Sequence, residues 1–122
     1  MVKSMKLRGK VVQGLGIGAK FGYPTANLEI DGPQDIESGV YAAHAVVNRA
    51  VHHAVAVVGA RQEKSKPLVE VLLLDFDGDL YRKELEVEVL KKISEIERFE
   101  NEEQLVEKIK QDVKRARVCL QG

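Results

Sequence analysis

A glycine-rich stretch between residues 14 and 22 has the composition of an anion-binding loop. It contains four glycines and a lysine at every second position, in the order Gly14, Gly16, Gly18, Lys20 and Gly22. Glycine lets backbone N–H groups approach a phosphate closely, and lysine adds a positive charge. The stretch fits neither a P-loop nor a dinucleotide fingerprint, because no Ser or Thr follows the lysine and Pro24 stands where a helix would begin. Composition alone is equally compatible with a phosphate-binding loop and with an ordinary connection between strands.

The segment directly after this stretch combines a stiff backbone with two oxygen-bearing side chains. Pro24 fixes its own φ and favours an extended conformation at Tyr23. In an extended chain, Thr25 and Asn27 project to the same face, since residues two apart share a face. A hydroxyl beside an amide oxygen suits a hard cation such as Mg²⁺, which takes its other ligands from water and phosphate. The competing interpretation is that both side chains cap a turn.

A single carboxylate interrupts the most apolar part of the chain. Between Leu68 and Leu74 the only charged residue is Glu70. A buried carboxylate costs free energy unless it is paired or has a chemical role, such as accepting a proton from a hydroxyl. A salt-bridged carboxylate, or one at the mouth of a barrel, is the structural alternative.

The elements that would position these residues are mainly strands. Four runs are rich in β-branched and other apolar residues, namely 6–13, 39–47, 51–58 and 68–76. A fifth run alternates glutamate with Leu85, Val87 and Val89, which is typical of a strand with one buried face. The three residues 48–50 separate two of the runs and predict a hairpin. Residues 31–38 and 60–67 are polar and predict loops.

Near the end of the chain the period becomes helical. Apolar residues recur at intervals of three and four, at Val106, Ile109, Val113, Ala116 and Leu120. Asn101 is a suitable N-cap, and Gln104 stands in the position of a capping-box partner. Acidic residues fall in the first turn and basic ones near the end, at Lys114, Arg115 and Arg117, as the helix dipole favours. Strands followed by one helix predict an antiparallel β fold, and a small closed barrel avoids long exposed edges.

Length and charge narrow the class of protein further. A chain of 122 residues forms one domain, and its 19 basic and 19 acidic residues argue against a nucleic-acid or anionic-membrane partner. No apolar run approaches the roughly 20 residues of a membrane span, and the first ten residues lack the features of a signal peptide. One cysteine, Cys119, excludes an internal disulfide and a cysteine-built zinc site. We therefore expect one domain over residues 1–122 in the cytoplasm.

The order and spacing of these motifs closely resemble the riboflavin kinase family, including the kinase half of bifunctional bacterial FAD synthetases. The matching strings are Gly-x-Gly-x-Gly-x-Lys at 14–20, Gly-Tyr-Pro-Thr-Ala-Asn at 22–27, Ser-Gly-Val-Tyr-Ala at 38–42, Val-Glu-Val at 69–71, Asp-Leu-Tyr at 79–81 and the terminal helix motif at 99–116. The resemblance covers nearly the whole chain, and the Gly-x-Pro-Thr-Ala-Asn string is highly specific to this family. It implies a six-stranded antiparallel Greek-key barrel with a C-terminal helix beside the flavin pocket.

The resemblance also implies an activity, the transfer of a phosphoryl group from ATP to the 5′-hydroxyl of riboflavin. Thr25 and Asn27 would hold Mg²⁺, or another divalent cation, between the ATP phosphates, and the glycine-rich loop with Lys20 would close over the nucleotide. Glu70 would be the general base, and the flavin would lie near Ser94 and Phe99. The partners would be riboflavin or FMN and ATP or ADP, without nucleic acid or membrane. A separate adenylyltransferase would be needed to form FAD.

The sequence departs from the family pattern at several positions. Members usually carry Leu-Arg-x-Glu-x-x-Phe after the last strand, whereas residues 93–99 are Ile-Ser-Glu-Ile-Glu-Arg-Phe, with Ser94 at the arginine's place and Ile96 at the glutamate's. Arg82 replaces a glycine after Tyr81, and the Pro-Thr that commonly follows the Ile-Gly strand end is absent after residue 59. Loss of an arginine that stabilises transition-state charge lowers a rate by orders of magnitude. A non-catalytic homologue that binds flavin or nucleotide is therefore the alternative.

Overall fold

The computed structural model describes residues 5–12, 25–30, 36–63, 66–76 and 83–121. Within these ranges the chain forms six strands and one helix: β1 (Met5–Val12), β2 (Thr25–Ile30), β3 (Gly39–Val47), β4 (Ala50–Glu63), β5 (Lys66–Leu73), β6 (Glu84–Ser94) and α1 (Glu102–Gln121). The predicted glycine-rich loop lies outside the described residues.

The described strands form a closed antiparallel ring. Their order around the barrel is β1-β2-β5-β4-β3-β6, and β6 pairs with β1 to close it. The consecutive strands β3, β4 and β5 are neighbours, while β6 returns to lie beside β3, which is a Greek-key connection. The prediction of a six-stranded Greek-key barrel with a C-terminal helix is confirmed.

Alternate residues of each strand fill the interior of the barrel. Leu7, Leu28, Val71 and Leu85 come from four different strands and are each at most 1% exposed. Because successive side chains of a strand point to opposite faces, the residues between these positions face outward. On β2 the inward residues are Ala26, Leu28 and Ile30, so that the intervening polar residues lie on the outer surface.

Helix α1 covers one outer face of the barrel. Val113 and Ala116 of the helix pack in a second apolar cluster with Leu72 of β5 and with Leu74, which directly follows that strand. The β5 region is therefore apolar on both sides, since its inward residues fill the barrel and these two leucines meet the helix. Among the described residues, no helix is both long enough and apolar enough to cross a membrane.

The predicted hairpin between β3 and β4 is present, with a shorter loop than expected. Val47 pairs with Ala50, so that Asn48 and Arg49 alone form the turn. Both turn residues have positive φ angles, of 50° and 69°, which is the backbone of a type I′ turn. Ala50 belongs to the strand because this turn needs only two residues.

The prediction of a loop over residues 60–67 is wrong. Strand β4 continues to Glu63, and β5 begins at Lys66. The register shifts between Val58 and Arg61, and Gly59 has a φ of 88° there. The shift is a bulge, in which extra residues on one strand change its direction without ending the pairing.

The start of α1 matches its prediction. Asn101 Oδ1 accepts a hydrogen bond from the Gln104 N–H at 2.9 Å, and Gln104 Oε1 accepts one from the Glu100 N–H at 3.3 Å. The basic residues expected near the end of the helix, Lys114, Arg115 and Arg117, lie before the last turn, which ends at Gln121 and contains no basic residue.

Candidate functional site

Thr25, Asn27 and Glu70 lie on one outer face of the barrel. In the ladder between β2 and β5, Asn27 pairs with Glu70, and Thr25 pairs with Leu72. Residues directly opposite each other in an antiparallel ladder project to the same face, with Cβ atoms about 5 Å apart. A hydroxyl, an amide and a carboxylate are therefore neighbours on the two strands.

These three side chains differ in burial. Asn27 is 6% exposed, whereas Thr25 and Glu70 are partly buried. All three offer hard oxygen donors, which are the ligands that Mg²⁺ prefers in proteins. No cluster of three or more His, Cys, Asp or Glu within the described ranges could hold a metal ion. A cation beside β2 would therefore need water or phosphate oxygens to complete its coordination.

A cavity of about 170 Å³ opens beside Glu70, between the barrel and α1. The strands contribute Val40, Val57 and Leu72 to its lining, and the helix contributes Leu105 and Ile109. The segment that joins β6 to α1 supplies a further wall with Ile96 and Phe99. Most of the lining is apolar, as in sites for small organic ligands.

The polar part of this lining is mainly acidic. It contains four carboxylates, those of Glu70, Glu95, Glu97 and Asp112. Among the described residues that line the cavity, Lys108 is the one cation. Glu95 also bonds to Lys92 at 2.6 Å, and hydrogen bonds to Glu95 and Glu37 raise the pKa of Lys92 above its usual range. The lining therefore favours a neutral ligand with hydroxyl or N–H donors over an anion.

Lys108 belongs to a hydrogen-bonded network at the end of β6. Its Nζ donates to Ser94 Oγ at 2.6 Å and to Asp112 Oδ2 and Oδ1 at 2.7 and 3.0 Å. The Ser94 hydroxyl donates to Asp112 Oδ1 at 2.7 Å, and Arg115 donates to the same oxygen at 3.1 Å. Lys108 and Asp112 are only 9% and 6% exposed. The buried charges are therefore paired, as burial requires.

An open cleft of about 340 Å³ continues from the cavity towards the surface. Glu97, Phe99 and Lys108 line both spaces. Ligand sites in proteins usually exceed about 300 Å³, so that the cavity alone is too small for a tricyclic ring system. A ligand of that size would occupy the cavity and extend past these three residues into the cleft.

Comparison with known protein families identifies the family of the chain. The family model described as riboflavin kinase, or flavokinase, matches residues 1–120. The chain belongs to the riboflavin kinase family.

Two curated relatives in the riboflavin kinase family come from Bacillus subtilis. The chain is 37% identical over 110 residues to the RNA-binding riboflavin kinase RibR, a match that covers 88% of this chain and 47% of that protein. It is 30% identical over 116 residues to a bifunctional riboflavin kinase/FMN adenylyltransferase, covering 90% of this chain and 37% of that protein. The chain thus spans less than half the length of these relatives.

Solved structures give the same picture of the fold. Riboflavin kinase from Trypanosoma brucei superposes with a TM-score of 0.65 at 26% identity, covering 98% of this chain and 81% of that chain. A protein from Streptococcus pneumoniae described as a macrolide-efflux protein superposes with a TM-score of 0.81 at 32% identity. That match covers 92% of this chain and 38% of the other.

The structure of this riboflavin kinase family member separates the two residues predicted at the flavin. Phe99 lines the cavity. Ser94 does not line it, but its hydroxyl is hydrogen-bonded to two residues that do, Lys108 and Asp112. The residues predicted for the nucleotide loop, Gly14, Gly16, Gly18, Lys20 and Gly22, lie outside the described ranges.

Sequence reasoning assigned no role to Lys108 and Asp112. A signal for them was present, because they carry opposite charges four residues apart. They also fall on the same side of the helix as Ile109 and Val113, where apolar residues are expected. A charged pair at such positions indicates a buried ion pair or a binding site.

Proposed function

We propose that the chain transfers the terminal phosphoryl group of ATP to the 5′-hydroxyl of riboflavin, which yields FMN and ADP. Membership of the riboflavin kinase family supports this reaction. The observation that carries the proposal is the position of Glu70, which pairs with Asn27 in the β2–β5 ladder and also lines the apolar cavity. The Glu70 carboxylate thus lies next to the oxygen donors of β2 and also next to the cavity proposed for the acceptor.

The cavity and its cleft would bind the uncharged acceptor. Apolar residues such as Phe99 and Ile109 suit the faces of the isoalloxazine ring, and the carboxylates accept hydrogen bonds from hydroxyl groups. Glu70 would accept the proton of the 5′-hydroxyl while the new bond to phosphorus forms and the bond between the β- and γ-phosphates breaks. The acidic lining of the cavity disfavours an anion. In this proposal the ATP phosphates therefore lie on the β2 side of Glu70.

Thr25 and Asn27 would hold a divalent cation through a hydroxyl and an amide oxygen, and this donor set fits Mg²⁺. When bound, the cation supplies positive charge against the phosphates of ATP. The chain contributes a pre-set arrangement, because both side chains project from one regular strand of the barrel. Positioning of this kind is the main demand that phosphoryl transfer makes on a protein.

The relatives' names mention two further activities, RNA binding and FMN adenylylation. The chain covers less than half of each of these relatives, and its basic and acidic residues balance at 19 each. Such a balance does not favour a polyanionic partner. We therefore include only riboflavin and ATP as ligands in this proposal.

The test is to incubate the purified chain with riboflavin, ATP and Mg²⁺ and to measure FMN by chromatography. The decisive variant is Glu70→Gln, which keeps the shape of the side chain and removes the base, and we expect kcat to fall at least about 100-fold. The matched control is Glu86→Gln, on the outer face of β6 near Lys6, which should leave kcat unchanged.

Two results would count against the proposal in different ways. Turnover by Glu70→Gln within about twofold of the unmodified chain would refute the role of the base. Failure of the unmodified chain to form FMN with several nucleotides and metals, while it still binds riboflavin, would support the alternative of a non-catalytic flavin-binding homologue.

A further inference from the structure

We propose that Lys108 is a positioning residue for the flavin, because it ties the end of β6 to α1 and thereby fixes one wall of the cavity. The inference rests on the proposed function and adds to it a residue that sets affinity for the acceptor. Lys108 would act through Ser94 and Asp112, and its loss would change the binding of riboflavin much more than the binding of ATP.

The first observation is the place of the Lys108 ammonium. It lines both the cavity and the cleft, at the point where a bound ring system would pass from one to the other. Its hydrogen bonds to Ser94 and Asp112 are all 3.0 Å or shorter, and the side chain is about nine-tenths buried. Its position is therefore set by neighbours and does not depend on solvent.

The second observation is which parts of the chain the network joins. Ser94 is the last residue of β6, whereas Lys108 and Asp112 lie on α1. Residues 95–101 run between these two anchors and supply Ile96, Glu97 and Phe99 to the cavity wall. Ile96 and Glu97 are exposed and Phe99 is only partly buried, so that packing against the rest of the protein holds this wall incompletely. Fixing both ends of the segment is what keeps the wall in place for a ligand.

The network also places a cation beside the end of β6. The Lys108 ammonium lies 2.6 Å from the Ser94 hydroxyl. A positive charge is thus present next to position 94, although it comes from the helix and not from the strand.

The experiment compares riboflavin and ATP as separate readouts. Lys108→Met alone leaves the buried Asp112 carboxylate with the Ser94 hydroxyl and the half-exposed Arg115, without its buried cation, which is expected to destabilise the protein. The double variant Lys108→Met/Asp112→Leu removes both charges and replaces them with apolar side chains that suit a buried site. We expect its KM for riboflavin to rise about tenfold, with KM for ATP and the melting temperature close to those of the unmodified chain.

A charge swap and a surface control complete the test. Ser94→Arg/Lys108→Gln moves the cation from the helix to the strand, and its KM for riboflavin should fall within about threefold of the unmodified value. Lys110→Met removes an exposed lysine of the same helix and should change neither KM. If Ser94→Arg/Lys108→Gln binds riboflavin as weakly as Lys108→Met/Asp112→Leu does, a cation beside residue 94 is not required and the inference is wrong.

The outcomes for the inference and for the proposed function are separable. If the unmodified chain forms FMN and Lys108→Met/Asp112→Leu keeps its riboflavin KM within about twofold, the inference is wrong and the function stands. If the unmodified chain forms no FMN, the proposed function is wrong. The inference is then tested by comparing the Kd for riboflavin, measured by fluorescence quenching, between the unmodified chain and Lys108→Met/Asp112→Leu. A chain that binds no riboflavin would overturn both.

Discussion

Glu70 differs in its surroundings from the next two residues that face outward along the chain. Leu72 and Leu74 lie under α1, whereas Glu70 borders the cavity and faces Asn27 across the ladder. In the reaction proposed above, this carboxylate accepts the proton of a bound hydroxyl.

Thr25 provides a prediction about the cation. In Thr25→Val the side chain keeps its shape and its preference for a strand but loses the hydroxyl. We expect the Mg²⁺ concentration for half-maximal activity to rise about tenfold, because one oxygen ligand is missing. The measurement is the rate of FMN formation over a Mg²⁺ titration, with riboflavin affinity as the control that should not change. An unaltered Mg²⁺ titration would remove Thr25 from the site.

The sequence predicted the residues of the candidate site unequally well. Thr25 and Asn27 could be placed on one face because a strand has a fixed period of two, whatever surrounds it. The pairing of Asn27 with Glu70 could not be predicted, since it depends on the register between strands more than 40 residues apart along the chain. Lys108 was missed because its partner Ser94 comes from another element.

Helix α1 has two functions at the level of elements. Its apolar residues, with Val113 and Ala116 at their centre, cover the barrel. Its first turns carry Leu105 and Ile109 into the cavity lining. The stability of these first turns should therefore affect both folding and riboflavin binding.

The N-cap of α1 provides a prediction about stability. Asn101→Ala removes the acceptor that lies 2.9 Å from the Gln104 N–H, which should lower the free energy of unfolding by about 1 kcal/mol. Asn101→Asp keeps an acceptor at the positive end of the helix dipole and is the control, expected to remain as stable as the unmodified chain. Urea unfolding measures both. Equal stability of the alanine and aspartate variants would show that the cap contributes little.

Elements were predictable where their periodicity was undisturbed. The alternation of Leu85, Val87 and Val89 identified β6, and a helical stripe identified α1. The extension of β4 to Glu63 escaped prediction because its residues are polar and a bulge at Gly59 interrupts the alternation. Backbone hydrogen bonds to β5 maintain the strand there, and the pattern of neighbouring residues in the sequence does not reveal such pairing.

The pH response of the whole molecule provides a prediction through Tyr41. Its phenol is buried and donates to the Glu37 carbonyl at 2.6 Å, and burial, with a smaller contribution from the Glu37 carboxylate, raises its pKa. A raised pKa gives stability that is complete below the unfolded value of about 10 and is lost as the pH rises through the folded value. We therefore expect the free energy of unfolding to decline above about pH 10.

The comparison for this prediction is Tyr41→Phe, studied by urea unfolding between pH 7 and pH 11. At neutral pH the variant should be about 1 kcal/mol less stable, because the hydrogen bond to Glu37 is missing. Above about pH 10 the difference from the unmodified chain should shrink, since phenylalanine does not titrate. Parallel curves over the whole range would show that Tyr41 does not determine the alkaline response.

Closure of the barrel by β1 and β6 has a consequence for biosynthesis. Met5 pairs with Val89, and Leu7 with Val87, so that the seam joins segments far apart in the chain. During translation the ring cannot close until β6 has emerged from the ribosome, and until then β1 has an unsatisfied edge. The part of the cavity lining that follows β6, from Glu95 to Asp112, emerges later still. The complete cavity therefore forms only after the barrel has closed, so that a ligand of this cavity would stabilise the finished fold and would not act as a template for it.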